Sequence, residues 1–173
     1  PFDKKVKGLE AEVQWAPIDV LRLGLNLTYT DSGDDWVEYD NPFTATVGDY
    51  ARFYTIASPE LAGSFTVDYN QPLGVGELAM HAGYAYSDDY WATPGAQLVA
   101  SFGPNYDRPT GKGRQLDARV GWKNIEATGG VWEIALWGKN LTDESEIVYG
   151  FDGCAFGGGH CGFRQNPMTY GIE

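Results

Sequence analysis

"LRLGLNLTYT", residues 21–30, alternates almost without a break. Leu21, Leu23, Leu25, Leu27 and Tyr29 share one parity, and Arg22, Gly24, Asn26, Thr28 and Thr30 share the other. Successive side chains leave a pleated backbone on opposite faces, so a period of two marks a β-strand. Four leucines and a tyrosine on one face demand a large apolar partner. That partner is either a protein core or lipid, and the choice decides the fold.

The same alternation recurs along the chain. In "GLEAEVQW" Leu9, Ala11, Val13 and Trp15 oppose Glu10, Glu12 and Gln14. "ELAGSFTVDY" sets Leu61, Gly63, Phe65, Val67 and Tyr69 against Ala62, Ser64, Thr66 and Asp68. "ELAMHAGYAY" (77–86) and "QLDARVGW" (115–122) repeat the pattern, and so does "NPMTYGIE" (166–173). "VWEIALWGKN" (131–140) fits it with Trp137 as the exception. Seven strands are expected, and no segment has a helical period. Short connections, "APIDV" (16–20), "NQPLGVG" (70–76) and "NIEATGG" (124–130), alternate with long ones near 31–57, 87–113 and 141–162. Short turns at one end and long loops at the other describe an antiparallel up-and-down meander, the asymmetry of outer-membrane barrels.

In a soluble barrel the apolar parity points inward; in a membrane barrel it faces lipid and the polar parity lines a wet lumen. Strands of about ten residues suit a tilted crossing of a bilayer. Aromatics cluster at both ends of the apolar parity, with Trp15, Tyr69, Trp122 and Trp132 by the short turns and Tyr29, Tyr84 and Tyr86 near the long loops. Two aromatic girdles are what two membrane interfaces select. The other parity mixes Arg22, Asp68, His81, Asp117, Arg119 and Glu133 with Gly, Ser and Thr, as a wet lumen would. The expected fold class is therefore all-β, an antiparallel transmembrane β-barrel sheet, with a soluble ligand-binding β-barrel as the alternative.

Composition narrows the function. The 173 residues carry a formal net charge of −12, which argues against a nucleic-acid partner, since phosphate contacts need clustered Lys and Arg. No apolar run approaches the roughly 18 residues of a membrane-spanning helix. The opening "PFDKKVKG" has neither an initiator methionine nor an apolar signal region, so the chain reads as an excerpt of a longer one. No nucleophile motif, phosphate loop or metal-protease motif is present, and the expectation is a protein that is not an enzyme and holds no cofactor or metal. His81 has no carboxylate or serine partner at a catalytic spacing in sequence, which favours a lumen-lining role.

"GKNLTDE" (138–144), followed by a loop and then "FRQNPMTYGIE" (163–173), resembles the C-terminal end of TonB-dependent outer-membrane receptors. "VKGLEAEVQWAPIDVLRLGLNLTYTDS" (6–32) and "ASPELAGSFTVDY" (57–69) are similar to hairpins of that family. The resemblance implies a 22-stranded barrel closed by an N-terminal plug, in the outer membrane of a Gram-negative bacterium. Such a receptor imports a scarce nutrient with energy passed on by the TonB protein. On this reading residues 1–173 are the C-terminal part of the barrel domain, about seven strands, without the plug that contacts the TonB complex. Its partners are outer-membrane lipid and a small-molecule substrate, with a ferric siderophore or other iron chelate ahead of an oligosaccharide. One departure is that the last strand stops at Glu173, before the terminal aromatic of the family. A small structural or adhesive outer-membrane barrel remains the competing reading.

Cys154 and Cys161, in "CAFGGGHC", fall in the last long loop. A disulfide stapling that loop is the favoured reading, because the cell exterior is oxidising. A site using His160 with both thiols lacks a fourth metal ligand at a typical spacing, and two unpaired thiols are the third option. "DSGDDWVEYDNP" (31–42) packs five carboxylates, but Gly33 and Trp36 break the calcium-loop pattern. Solvated loop charge is its simpler reading. The Asn-x-Thr sequons at Asn26 and Asn140 lie in or at the end of strands and read as accidental. Trp36, Tyr39, Tyr90, Trp91, Tyr106 and Arg108 are the candidate ligand contacts in the long loops, although aromatics also simply pack such loops together.

Overall fold

The computed structural model describes residues 5–32, 35–39, 49–53, 58–90, 110–154 and 159–173; for 35–39, 49–53, 148–154 and 159–161 it describes the backbone alone. The seven alternating segments all become strands of one antiparallel sheet. They are β1 (Lys7–Ile18), β2 (Leu21–Asp31), β5 (Leu61–Pro72), β6 (Glu77–Ser87), β7 (Gly113–Ala127), β8 (Gly130–Lys139) and β11 (Thr169–Ile172). Sheet order follows chain order, β1-β2-β5-β6-β7-β8-β11. No helix occurs among the described residues. The sheet is open, since β1 and β11 are its two edges and do not pair.

Two of the long connections carry strands that their sequences did not announce. β3 (Asp35–Tyr39) pairs with β4 (Asp49–Phe53), and β9 (Ile147–Cys154) pairs with β10 (Gly159–Arg164), each as a separate two-stranded ribbon. β7 also outruns its expected end: "NIEATGG" is not all turn, because the strand continues to Ala127 through a bulge between Trp122 and Ile125. Asn124 takes φ 57° there, the left-handed conformation that Asn tolerates best among residues with a Cβ.

Register turns the alternation into two unlike surfaces. One row across the sheet reads Ile18, Leu21, Tyr69, Met80, Val120, Leu136 and Ile172, one residue from each strand and none charged. The neighbouring row toward the long loops reads Trp15, Leu23, Val67, Ala82, Ala118, Gly138 and Tyr170. On the opposite face Arg22, Asp68, His81 and Arg119 follow one another across four adjacent strands.

The hairpins are staggered. Ile18 and Leu21 close β1–β2 in the row of Tyr69, and Pro72 and Glu77 close β5–β6 three residues further along β5. Ile134 shares the row of Gln71, and Gly130, which closes β7–β8, lies four residues beyond it, a second advance of three. The long-loop edge steps the same way, from Lys7 and Asp31 through Ser87 and Gly113 to Lys139 and Thr169. Three residues per pair of strands is a shift of about 10 Å over a width of about 10 Å, so the strands lean about 45° from the line of hairpin tips.

There is almost no core. Ala135, at 1% exposure, is the one fully buried apolar side chain among the described residues. Leu9, Trp15, Leu25, Phe65, Ile134, Leu136 and Ile172 are all exposed, from 42% to 75%. Backbone pairing holds the sheet together, and nothing within the described residues covers its apolar face.

Candidate functional site

The polar face carries most of the ion pairs and side-chain hydrogen bonds between strands. His81 Nδ1 lies 2.8 Å from Asp68 Oδ1, directly across the β5–β6 pair. His81 therefore has a carboxylate partner, which corrects the reading from sequence: the hairpin converts a separation of 13 residues into direct contact. Arg119 reaches Glu133 Oε1 at 2.6 Å and Glu173 Oε1 at 2.5 Å, joining β7, β8 and the end of the chain. Lys123 pairs with Glu77 at 3.2 Å, and Asn26 donates to Ser64 Oγ at 3.3 Å. These groups are partly exposed, and water and salt screen pairs of this kind so that each contributes little to stability. They set the character of the face more than its stability.

Recesses form on this side. One of about 420 Å³ is lined by Glu12, Gln14, Arg22, Asn26, Thr66 and Asp68 among others. Another of about 500 Å³ takes in His81, Asp117, Arg119, Trp137, Lys139 and Glu173. Trp137, the exception to the alternation, belongs here. A Cβ on Gly171 would sit 2.9 Å from the Trp137 ring, so the glycine of "MTYGIE" makes room for an indole lying on the polar face of β11.

Each long connection is gripped at its base. At the first, Thr30 N–H donates to Glu60 O at 2.8 Å. At the second, Asp88 Oδ1 accepts from Tyr86 Oη at 2.6 Å and Lys112 Nζ at 2.9 Å. The hydrogen bond from Tyr86 and then that from Lys112 hold the Asp88 carboxyl below the usual carboxylate range, and Asp88 in turn raises the Lys112 ammonium. One step outward, Tyr90 N–H donates to the Thr110 hydroxyl at 3.0 Å, and Thr110 N–H returns a bond to Tyr90 O at 2.8 Å. Thr110 is 5% exposed.

The third base is built on "GKNLTDE". Asn140 is 2% exposed and takes φ 50°. Its Nδ2 donates to Glu144 O and Asn166 O, both at 2.8 Å, while its Oδ1 accepts from Thr142 Oγ1 at 3.1 Å and from Glu144 N–H at 3.2 Å. Its own N–H donates to Asp117 Oδ1 at 2.8 Å. One side chain thus ties the end of β8 to the loop that leaves it and to the segment that leads back into β11, while its backbone fixes both to β7. Leu141 N–H donates to Leu116 O, and a Cβ on Gly138 would meet Leu141 Cδ2 at 2.6 Å, which explains the glycine that opens the phrase. Gln165 and Arg164 add bonds to Gln115 and to Ser145 O. The family-like phrase acts here as a clip, and Asn140 as its centre.

The candidate ligand contacts fare unequally. Tyr90 is held in the second loop base, where its backbone meets Thr110. Trp36 and Tyr39 lie in β3, with Arg52 and Asp49 as register partners, and their side chains are outside the description. Trp91, Tyr106 and Arg108 fall outside the described residues. Cys154 stands across from Gly159, and Cys161 across from Phe151, in the β9–β10 ribbon; the side chains of both cysteines are outside the description. Sequence reasoning missed Asn140, Thr110 and Gln165 as fixing residues. Asn140 was visible as part of a phrase, but its partners come from three separate segments. No group of three or more metal-ligating side chains occurs among the described residues. Comparisons with protein-family models, with curated proteins and with solved structures return no match.

Proposed function

We propose that this chain is a sector of an outer-membrane β-barrel, the C-terminal part of a TonB-dependent transporter that imports a scarce nutrient, an iron chelate first and an oligosaccharide second. The observation that carries the membrane reading is the uncovered apolar face. Soluble monomers rarely expose contiguous apolar patches beyond a few hundred Å², whereas here apolar rows run across all seven strands. Lipid is the partner that asks for no complementary shape. The lean of about 45° supports the same reading, since strands of a closed barrel tilt by 35–45°. An open edge in hydrocarbon would leave backbone groups unpaired at several kcal/mol each, so β1 and β11 need neighbouring strands, which a larger barrel supplies.

The polar face then lines the lumen, with its ion pairs and recesses toward water. The grips at the loop bases hold long extracellular segments at its mouth, where aromatic and charged residues meet ligand. The transport reading itself rests on the resemblance at "GKNLTDE" and "NPMTYGIE". An outer membrane has no ATP and no ion gradient of its own, so uphill import needs energy from elsewhere. Uptake by the full-length parent protein is therefore expected to saturate at low substrate and to stop when the proton-motive force is collapsed, while surface binding survives. Uptake continuing undiminished in de-energised cells would mark a passive channel and overturn the transporter assignment.

A further inference from the structure

The β5–β6 hairpin ends in Leu73, Gly74, Val75 and Gly76, a turn with two large aliphatic side chains where water-facing turns favour Asn, Asp, Ser or Gly. Leu73 N–H donates to Gly76 O at 3.0 Å and closes it. Leu73 is 46% exposed and Val75 53%. Leu73 continues the parity of Val67, Tyr69 and Gln71, so it extends the apolar column past the end of the strand.

The tip is fastened to its neighbour. Trp122, on β7 in the row of Gln71, Leu78 and Ile134, donates its indole Nε1–H to Val75 O at 2.8 Å. Gly76 takes φ 76°, and a Cβ there would lie 2.7 Å from Trp122 Nε1 and 2.6 Å from Lys123 O. Only glycine permits both that conformation and that approach. The bond satisfies the single polar atom of the indole and leaves its ring apolar. At the same level the opposite face carries the Glu77–Lys123 pair. The tip is thus two-sided, and its apolar side is continuous with the apolar face of the sheet. The other short turns differ, with Asp19 and Val20 at one and Thr128 and Gly129 at the other.

We propose that the Leu73–Gly76 turn is a membrane-interface anchor, with Trp122 as its pivot. Its partner is the phospholipid of the leaflet on the short-turn side, met at the boundary between headgroup and acyl chain, where an indole and short aliphatic chains are both favoured. The inference rests on the membrane reading of the apolar face and extends it into a turn that a barrel alone would leave in water.

The test places an environment-sensitive fluorescent amino acid at Val75, at Leu25 or at Asp19 of the full-length parent protein in phosphatidylcholine vesicles. Quenching is then read with aqueous iodide and with spin-labelled lipid. Lipid quenching and iodide protection at 75 and 25, with the reverse at 19, is the expected result. A probe at 75 open to iodide while 25 stays protected overturns the anchor and leaves the membrane reading standing; iodide access at 25 overturns the membrane reading itself. Trp122→Phe, which keeps an aromatic ring, though a smaller one, and removes the donor, is expected to raise iodide access at 75 and leave 25 unchanged. Unchanged protection at 75 in that variant would remove Trp122 from the role of pivot.

Discussion

On one face of the sheet Ile18, Leu21, Tyr69, Met80, Val120, Leu136 and Ile172 stand in a row with no charge, its one hydroxyl, on Tyr69, donating to Gln71; on the other, Arg22, Asp68, His81 and Arg119 stand in the adjacent row. Both faces are uncovered, and the same backbone ladder supports both. A charged group in an exposed sheet can find a cross-strand partner, as Asp68 and Arg119 do. An apolar group gains only by leaving water, at about 25 cal/mol per Å² removed. The polar face is therefore complete in water, and the apolar face is complete only against something that the described residues do not supply.

The sharpest way to break that comparison is to put a charge on each face at one level. In the proposed membrane barrel, Leu25→Arg is expected to cost about 2–4 kcal/mol near mid-bilayer, and Asn26→Arg far less. Chemical unfolding in lipid or detergent measures both, and equal costs at the two positions would abolish the distinction between the faces.

Next in size is the clip. Asn140→Ala strands Glu144 O and Asn166 O, and places a methyl-bearing residue at φ 50°. A cost of about 1–2 kcal/mol is expected from the part-buried carbonyls left unpaired and the strained backbone together. Asn140→Gly relieves the strain at φ 50°, so its deficit reports the hydrogen bonds together with the extra backbone entropy of glycine. Equal stability of wild type and Asn140→Ala would mean that the clip is decorative.

Comparable in size is the indole on the polar face. Gly171→Ala drives a methyl into Trp137 and is expected to cost about 1–2 kcal/mol, recovered in part when Trp137→Leu is added. A non-additive double-mutant cycle reports that contact, and strict additivity would deny it.

The smallest effect is at the second loop base. Asp88 is held below its ordinary carboxylate range, so its contribution is present above the unfolded value and lost as pH falls through the depressed one. The Lys112 ammonium is raised, so its share is full below its ordinary value and is lost only as pH rises through the higher, folded one. Protease nicking between residues 91 and 109 is expected to rise at pH below about 4, the ordinary carboxylate value, and to stay flat through neutrality. Lys112→Met should raise it at neutral pH as well; a flat profile in both proteins would remove the Tyr86–Asp88–Lys112 grip from the account.

The six long strands of the sheet were legible because alternation is written over eight or more residues at a time, and the four-residue β11 because "NPMTYGIE" carries the pattern beyond its ends; a slip of one residue would turn every side chain over. "DWVEY" and "IVYGFDGC" were not, because five to eight residues set inside long polar or Gly-rich connections carry too few periods to separate a ribbon from a loop. Trp137 read as an error until Gly171 arrived from another strand to receive it. The pair of His81 and Asp68 was hidden by sequence distance and exposed by register. The role of "GKNLTDE" depended on Asp117 meeting the Asn140 backbone N–H while Glu144 O and Asn166 O meet its side-chain amide, which no local reading supplies. The medium on the apolar side was an inference from aromatics and loop lengths, and the uncovered face turns it into a physical requirement for a partner.

That requirement is tested most directly by a nitroxide scan of residues 21–30 in the full-length parent protein reconstituted in vesicles. Oxygen concentrates in hydrocarbon and a charged nickel chelate stays in water. Accessibility to oxygen is expected to peak at 21, 23, 25, 27 and 29, with the nickel reagent favouring the even positions between them. Oxygen peaks at the even positions, or no alternation at all, would contradict the assignment of the leucine face to lipid.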